Sequence, residues 1–303
     1  MMNQDFYNKL AEIVSAEAIL ENEPMSKHTT FRIGGNADVF VSPKVEQVAD
    51  VMKLAKEYQV PVTVIGNGSN LLVGDKGIRG LVLSFGKEAE EIVLDGRCMT
   101  VSAGTILAKV AAEAAKNSLT GLEFAAGIPG TMGGAIVMNA GAYGGEMKDV
   151  LISAKVLTPE GEVKELSNAE LDLSYRHSCI PEKNYIVLEA TLELMEGDEK
   201  AIRETMADFK NRRVDKQPLE YPSAGSTFKR PEGHFAGKLI QDAELRGYQV
   251  GGAQVSEKHC GFVINKGDAT AKDVLQLISD VKKIVYEKFQ VELEPEVKMI
   301  GEF

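Results

Sequence analysis

Three polar residues stand in sequence contexts where they could do chemistry: Arg176, Ser226 and Glu296. Arginine carries a permanent planar cation with five N–H donors, which suits a carboxylate or a developing carboxylate-like charge. Ser226 lies in SAGSTF, where the adjacent glycine would leave its hydroxyl open to a ligand. Glu296 follows a proline in an apolar strand pattern, so its carboxylate is expected to be partly buried and to need a partner. Taken singly, Arg176 is better explained as a surface residue, Ser226 as a turn residue and Glu296 as part of a structural ion pair.

Glycine is concentrated between Gly127 and Gly145, where GIPGTMGGAIVMNAGAYGG holds seven of the 29 glycines. Glycine weakens helices and strands, so a run this dense indicates backbone with unusual dihedrals or a closely approaching ligand. Consecutive amides in such a loop can form a nest that binds a phosphate or diphosphate. A plain structural turn explains the run about equally well.

A second glycine segment, GNGSN at 66–70, follows a predicted short strand, VPVTVI, and precedes further extended sequence. No helix is predicted after it, and Leu71 occupies the third glycine position, which excludes the Rossmann dinucleotide fingerprint. The segment 233–239 has three residues rather than four between its glycines and no Ser or Thr after its lysine, which excludes a Walker phosphate loop. Any phosphate cradle must therefore be of another kind.

The pattern along the chain predicts the helices and strands that would position these segments. Ser42 and Pro43 are predicted as the N-cap and first residue of a helix running towards Gln59. Thr105 is predicted to cap an alanine-rich helix over 106–116. The other predicted elements are a strand in MTVSAG (99–104), a hairpin in VLISAKVLTPEGEVKELS (150–167), a strand in YIVLEATLELM (185–195), a helix near 199–213 and a long helix opening at Thr270 with Asp273 as capping-box partner.

Composition and charge bound the kind of protein. The 303 residues suffice for two or three domains, and neither a secretory segment nor an apolar membrane-spanning run is present, so a cytoplasmic protein is expected. The net charge of -11 argues against nucleic acid or anionic membrane as the main partner. The segment 209–238 nevertheless carries seven Lys and Arg against three Asp and Glu, which suits an anionic small molecule or a solvated surface patch.

Cysteine and histidine give no metal or disulfide pattern. Cys98, Cys179 and Cys260 are odd in number and widely spaced, and three buried free thiols are expected. The four histidines are scattered without ligand spacing, so no metal is predicted. His259 is expected to be a packed or hydrogen-bonded histidine rather than a base.

Seven motifs in order resemble one family, the UDP-N-acetylenolpyruvoylglucosamine reductases, in the shorter of its two forms. No single motif is specific, but the order and spacing hold from about residue 25 to the C-terminus. The motifs are HTTFRIGGNAD (28–38), GNGSNLLV (66–73), GIPGTMGGA (127–135), NAGAYG (139–144), YRHS (175–178), AGSTFKRP (224–231) and LEPEVKMIG (293–301).

The resemblance implies an α+β protein with a flavin-binding fold of the vanillyl-alcohol-oxidase (PCMH) type. Two α/β subdomains, over 1–75 and 76–211, would bind FAD, and a C-terminal α+β domain over 212–303 would bind substrate. The FAD-binding residues implied are Gly66, Asn67, Gly68, Ser69, Asn70, Leu71, Gly127, Ile128, Pro129, Gly130, Gly133, Gly134, Asn139 and Gly141.

The resemblance also implies a reaction in two halves. NADPH would reduce the flavin, and the hydride would then pass to C3 of the enolpyruvyl group of a UDP-sugar, giving UDP-N-acetylmuramate for peptidoglycan synthesis. By motif, Arg176 and Glu296 would stabilise the charge that develops at C2 and its carboxylate, and Ser226 would donate a proton to C2. No nucleic acid, membrane or obligate protein partner is expected.

The stretch 232–291 is too short for the extra unit, with its closing tyrosine, that the longer form of the family carries. Lys229, Lys238 and Asn265 are therefore proposed as the residues that hold the substrate diphosphate. Two alternatives stay open: an oxidase with the same flavin fold and another substrate, and a non-catalytic module that binds a sugar nucleotide, in which the glycine loops are only turns.

Overall fold

The computed structural model describes residues 4–303, which form two compact units. The first unit contains the described residues up to Leu20, together with 39–67 and 80–213. The second contains 21–38, 68–79 and 214–303. The division into three domains at residues 75 and 211 stays a prediction.

Seven helices and nineteen strands lie within residues 4–303. The helices are α1 Gln4–Val14, α2 Val48–Glu57, α3 Leu107–Lys116, α4 Met132–Val137, α5 Glu199–Lys216, α6 Ala236–Asp242 and α7 Ala271–Phe289. The strands are β1 Ile19–Pro24, β2 Asn36–Val41, β3 Val62–Ile65, β4 Leu71–Val73, β5 Ile78–Ser84, β6 Ile92–Asp95, β7 Cys98–Ser102, β8 Leu119–Thr120, β9 Gly141–Ala142, β10 Gly145–Glu146, β11 Leu151–Leu157, β12 Val163–Ser167, β13 Ile186–Glu193, β14 Met195–Glu196, β15 Ser223–Ser226, β16 Gln249–Val250, β17 Ala253–Val255, β18 Phe262–Asn265 and β19 Lys298–Ile300.

The strands form both antiparallel and mixed sheets. One four-stranded sheet has the order β1-β2-β5-β3, with β3 and β5 parallel. A five-stranded antiparallel sheet has the order β12-β11-β13-β7-β6, and its β11–β12 hairpin confirms the hairpin predicted over 150–167. The second unit contains the antiparallel sheet β15-β18-β17-β16 and the parallel pair β19–β4.

Each unit has its own hydrophobic core. In the first, α3 buries Leu107, Val110 and Ala114, which recur at helical spacing, in the same apolar cluster as Met99 and Val101 of β7. In the second, α7 buries its apolar stripe completely or nearly so, as the sequence predicted. Those stripe residues are Val274, Leu277, Ile278, Val281 and Val285.

The start of α7 follows the predicted capping box. Thr270 Oγ1 accepts a hydrogen bond from the Asp273 amide at 3.1 Å, and Asp273 Oδ2 accepts one from the Thr270 amide at 3.0 Å. The carboxylate of Asp75 accepts from the amides of Ala271 and Lys272 at 2.7 and 3.0 Å. The four backbone N–H groups from Thr270 to Asp273 cannot find partners within the helix, and all four donate hydrogen bonds to side chains at this cap.

Two predicted helix starts are wrong. Ser42 is not an N-cap residue, because a 3-10 turn over 45–47 precedes α2: Lys44 caps that turn, with its amide bonded by the Gln47 side chain, and Gln47 is the N-cap of α2. Thr105 does not cap α3, because its hydroxyl both donates to the carbonyl and accepts from the amide of Glu91. Ile106 is the N-cap residue instead.

Smaller differences concern a helix end and a thiol. Helix α5 continues to Lys216, three residues beyond its predicted end. Cys179 and Cys260 are buried as predicted, whereas Cys98 is only half-buried at the start of β7; all three are free.

Candidate functional site

The two glycine loops are tied together in the first unit. The Asn67 side-chain amide donates to the carbonyl of Pro129 at 2.7 Å. A Cβ added to Gly66 would lie 2.4 Å from Thr131 Oγ1, well inside any normal contact. Glycine is therefore required at 66 because the other loop passes so close, and segments far apart in sequence form one surface.

The loop over 127–134 leaves backbone donors free for a ligand. Among residues 4–303 the amides of Gly127, Gly130 and Thr131 have no hydrogen-bond partner. Their neighbours are bonded within the fold: the amide of Ile128 donates to Ala125 at 3.0 Å and that of Gly133 to Ala103 at 2.9 Å. Unpaired N–H groups in a loop whose other amides are hydrogen-bonded can bind an anion. The diphosphate of a flavin nucleotide is such an anion, so this loop fits FAD.

The members of the loop named from the sequence thus divide in function. Gly133 is a packing residue, since a Cβ there would lie 3.0 Å from that of Ala103. Gly134 is exposed and donates to Thr131 Oγ1 at 3.5 Å, where α4 begins. Pro129 is also exposed and Ile128 half-buried.

Asn139 holds the far end of the glycine run in place. It is completely buried with a φ of 41°, and its side chain makes three hydrogen bonds. It donates to Glu146 Oε2 at 2.8 Å and to the Ser174 carbonyl at 3.1 Å, and it accepts from the Lys148 amide at 2.9 Å. Its side chain therefore positions the loop, and its contact with FAD stays a prediction.

Arg176 lies in a tight turn attached to this same framework. Its φ is 55°, which is uncommon for a residue with a side chain, and its Nη2 donates to the Gly141 carbonyl at 3.4 Å. Ser178 Oγ donates to the Val137 carbonyl at the end of α4 at 2.8 Å. The structure thus brings half-buried Arg176 together with Asn139 and Gly141, although their motifs are separate in sequence.

The other residues of the GNGSN segment lie in the second unit. Gly68 has a φ of 60°, and a Cβ there would lie 2.0 Å from the His28 carbonyl oxygen, so only glycine is accommodated. Ser69 and Asn70 are half-buried, and Asn70 Nδ2 donates to the Glu296 carbonyl at 3.1 Å. Leu71 begins β4, which confirms that a strand rather than a helix follows this segment.

Ser226 and Glu296 lie on adjacent backbone segments of the second unit. Phe228 and Pro295 form an antiparallel bridge, and the Glu296 amide donates to the Thr227 carbonyl at 2.8 Å. Ser226 is exposed at the end of β15 after Gly225, whose φ is 76°, while Glu296 is half-buried. The exposed Ser226 and the partly buried Glu296 predicted from the sequence are both present, on backbone segments that pair with each other.

The residues predicted to hold a diphosphate make contacts of their own. Lys229 Nζ lies 2.5 Å from Glu294 Oε1, and exposed Lys238 pairs with Asp242 one turn on. Asn265 Oδ1 accepts from the amides of Gly267 and Ala269, and its Nδ2 donates to the Phe31 carbonyl at 3.3 Å. Lys229 follows Ser226 by three residues on the same segment, and the diphosphate-binding role of all three residues stays a prediction.

His259 has the packed role that the sequence indicated. Its Nδ1 accepts from the Gly261 amide at 3.1 Å, and its ring lies edge-on to Phe262. Burial lowers the pKa of His259, so the neutral ring is favoured. Within 4–303 no cluster of three or more His, Cys, Asp or Glu residues could hold a metal, and no helix there is long and apolar enough to cross a membrane.

Sequence reasoning missed Thr131 and Tyr143. Thr131 is 2% exposed, caps α4 and contacts Gly66. Its position one residue before a helix was the available signal, since threonine is a preferred N-cap. Tyr143 stacks on Phe209 with ring centroids 4.4 Å apart. No sequence pattern predicts this contact.

Two family models match the chain. The model described as "FAD binding domain" matches residues 37–167, and "UDP-N-acetylenolpyruvoylglucosamine reductase, C-terminal domain" matches 217–300. Curated proteins named UDP-N-acetylenolpyruvoylglucosamine reductase are similar over full length. That of Agathobacter rectalis is 60% identical and covers 100% of both chains; that of Clostridioides difficile is 52% identical over the same shares.

Solved structures give the same picture. The reductase of that name from Thermus caldophilus superposes with a TM-score of 0.80 at 36% identity, over 93% of this chain and 97% of that one. Alkyldihydroxyacetonephosphate synthase matches with a TM-score of 0.50 at 16% identity, over 65% and 41%, and shows the fold alone. The predicted α+β fold with a flavin-binding part of the vanillyl-alcohol-oxidase type is confirmed.

Proposed function

The chain belongs to the family of UDP-N-acetylenolpyruvoylglucosamine reductases, which are FAD-dependent oxidoreductases, and we propose that it reduces UDP-N-acetylglucosamine enolpyruvate to UDP-N-acetylmuramate with NADPH as the electron source. The reaction belongs to peptidoglycan precursor synthesis in the cytoplasm. The observation that carries the proposal is the pairing of the loops at Gly66 and 127–134, with free amides at Gly127, Gly130 and Thr131. These residues would hold the FAD.

Bound FAD would carry the hydride from NADPH to C3 of the enolpyruvyl group. The new C3–H bond leaves negative charge at C2, delocalised into the substrate carboxylate. Fixed groups that stabilise this charge in a dry site usually make the largest contribution to such a reaction. Arg176, a permanent cation in a rigid turn, is proposed for that role.

Glu296 is proposed as the second group at the substrate carboxylate. An ionised Glu296 would repel the developing charge, so in this role it carries a proton and donates it in a hydrogen bond. Its backbone is fixed on both sides, since its amide donates to Thr227 and its carbonyl accepts from Asn70. These bonds fix the backbone from which the side chain extends, and a fixed position favours catalysis by hydrogen bonding.

Ser226 is proposed to donate the proton that C2 takes up. A serine hydroxyl is a weak acid, but a carbanion is a strong base, so a correctly placed O–H is sufficient. Ser226 is exposed next to Gly225. The residue after Ser226, Thr227, accepts a hydrogen bond at its carbonyl from the Glu296 amide. The C2–H bond completes the reduction: the hydride arrives at C3 and the proton at C2.

Lys229, Lys238 and Asn265 are proposed to bind the diphosphate of the UDP-sugar. Lys229 is the strongest of the three because it lies on the Ser226 segment, where it would exchange its surface partner Glu294 for the ligand. Exposed ion pairs are weak, so this exchange costs little.

The proposal is tested by anaerobic visible spectroscopy of the purified protein. We expect a flavin spectrum, its bleaching by NADPH, and its return on addition of UDP-N-acetylglucosamine enolpyruvate. A protein that binds no FAD when FAD is supplied would contradict the proposal. Reduction by an alcohol or sugar but not by NADPH would identify an oxidase of the same fold instead.

A further inference from the structure

Arg213, in the last turn of α5, is a half-buried cation with no partner within residues 4–303. It makes neither an ion pair nor a hydrogen bond with any of them. The other arginines of this helix differ: Arg212 pairs with Asp208 at 2.7 Å and Arg203 with Glu199 at 2.7 Å. Arg213 is thus the arginine of α5 whose charge the described chain does not compensate.

A stacked aromatic pair fixes where Arg213 lies. Tyr143 stacks on Phe209 with an interplanar angle of 10°, and its hydroxyl donates to the Phe209 carbonyl at 3.1 Å. Arg213 follows Phe209 by four residues, so both occupy the same face of α5. The stack joins that face to the glycine run, of which Tyr143 is part.

The Arg213 side chain lies against the first glycine of the candidate flavin loop. A Cβ added at Gly127 would be 3.4 Å from Arg213 Cδ and 3.6 Å from its Nη1. The guanidinium is therefore beside the loop whose amides at Gly127, Gly130 and Thr131 are free. Cation and amides together form a site for negative charge.

The energetics favour a ligand there. Removing a cation from water without giving it a partner costs free energy, and burial lowers the pKa of Arg213 for this reason. Packing alone would be served by an uncharged side chain. Arginine is instead suited to bidentate binding of phosphate-type oxygens.

We propose that Arg213 is a binding residue for the negatively charged part of the flavin nucleotide held by the 127–134 loop. This inference rests on the proposed function, because it needs FAD to bind at that loop. Two anions of the same nucleotide have the required chemistry: the diphosphate, and the isoalloxazine ring when it is reduced. Both present oxygen or nitrogen acceptors to a guanidinium.

The test compares Arg213→Gln with Arg212→Gln, its neighbour that already has an ionic partner. Flavin is removed, and the Kd for FAD is measured by quenching of flavin fluorescence. Loss of one charge-assisted hydrogen bond should raise the Kd about 10- to 100-fold in Arg213→Gln and leave it unchanged in Arg212→Gln. Arg213→Lys should recover part of the affinity, and circular dichroism checks that each variant folds.

The midpoint potential of the bound flavin distinguishes the two anions. If the diphosphate is the partner, Arg213→Gln weakens FAD binding with the potential unchanged. If the reduced ring is the partner, the potential also falls, because a cation there favours the reduced form.

Wild-type affinity and potential in Arg213→Gln would overturn the inference, as would an equal loss in Arg212→Gln. A rise only in the KM for NADPH or the UDP-sugar would assign the anion to a substrate and overturn it too. If the wild-type protein binds no FAD, the proposed function itself fails.

Discussion

Ser226 and Glu296 are common residue types that the fold places on paired backbone segments. Neither residue type is rare, and each had a plain structural explanation in the sequence. Their relation depends on one antiparallel contact, in which the Glu296 amide donates to the Thr227 carbonyl. The catalytic roles proposed for them can be separated by substitution.

Ser226→Ala should leave flavin reduction by NADPH intact and slow reoxidation by the enolpyruvyl substrate by about 10²- to 10⁴-fold, the usual contribution of a positioned proton donor. Anaerobic stopped-flow spectroscopy measures both steps. Ser223→Ala, at the other end of β15, is the matched control and should behave as wild type. An equal loss in both half-reactions would mean that Ser226 is structural.

Glu296→Gln should retain more of the reoxidation rate than Glu296→Ala, because a neutral amide can still donate a hydrogen bond to the substrate carboxylate. We expect a difference of at least about tenfold between the two variants, as one hydrogen bond to a charged group is typically worth that much. Exposed Glu292, four residues earlier, supplies the control Glu292→Gln. Equal rates in Glu296→Gln and Glu296→Ala would contradict the proposal that Glu296 donates a hydrogen bond to the substrate carboxylate.

At the scale of elements, the flavin cradle depends on two loops that must pass within contact of each other. The contact of Gly66 with Thr131 is the narrowest point, and Thr131 also begins α4. A side chain at residue 66, which directly follows β3, would push the two loops apart.

Gly66→Ala should therefore lower FAD affinity by at least about tenfold and cost about 1–3 kcal/mol of unfolding free energy, since the new Cβ meets the buried side chain of Thr131. Thr131→Ala removes the hydroxyl that a Cβ at 66 would meet. The double variant should bind FAD better than Gly66→Ala alone, a coupling that a double-mutant cycle measures by fluorescence titration. Strictly additive losses would show that the two loops do not constrain each other.

The cap of α7 predicts a pH-dependent contribution to stability. The Thr270 amide, which donates to the Asp273 carboxylate, is the main group that holds the pKa of Asp273 below its ordinary value of 3.8. The folded state therefore favours the ionised carboxylate. The stabilisation is complete above pH 3.8 and is lost as the pH falls through the lower folded-state value.

Urea unfolding of Asp273→Asn against wild type, in steps from neutral to acid pH, measures this contribution. The difference in unfolding free energy between wild type and Asp273→Asn should become smaller as the pH falls below 3.8. At neutral pH, Thr270→Ala should cost about 1 kcal/mol, the usual value of an N-cap. Thr205→Ala in the exposed middle of α5 is the control and should cost less. A difference between Asp273→Asn and wild type that is independent of pH would exclude the charged cap.

At the scale of the whole molecule, each of the two units encloses its own apolar core, and a ligand that binds only the folded protein adds to its stability. FAD at 100 times its Kd should stabilise the protein by about 2.7 kcal/mol. The melting temperature should then rise by about 5–10 °C for a unit of this size, as measured by calorimetry. FAD that leaves the melting temperature unchanged would contradict binding to the native fold.

Hydrogen exchange locates the effect within the molecule. FAD should slow exchange at the free amides of Gly127, Gly130 and Thr131, whereas the amides of α7 serve as an internal control. UDP-N-acetylmuramate should slow exchange near Ser226 and Lys229. Protection by FAD confined to 214–303 would place the flavin elsewhere.

The sequence by itself determined much of this protein. Glycine spacing excluded the Rossmann and Walker loops, periodicity located α7 and its cap, and the ordered motifs identified the family and the flavin fold. These features are local or depend on order along the chain, so a sequence displays them directly. The predicted caps at Ser42 and Thr105 failed because another partner in the fold took the same hydrogen-bonding group.

Only the tertiary structure decided which residues meet. It placed Thr131 against Gly66, Glu296 beside the Ser226 segment and Arg213 against Gly127, all pairs far apart in the chain. It also showed that the Asn139 side chain makes hydrogen bonds that hold a loop in place. The charge of Arg213, in contrast, has no partner in the described chain. Contacts of this kind depend on how strands and loops pack in space, and the identity of a residue does not reveal what will lie against it.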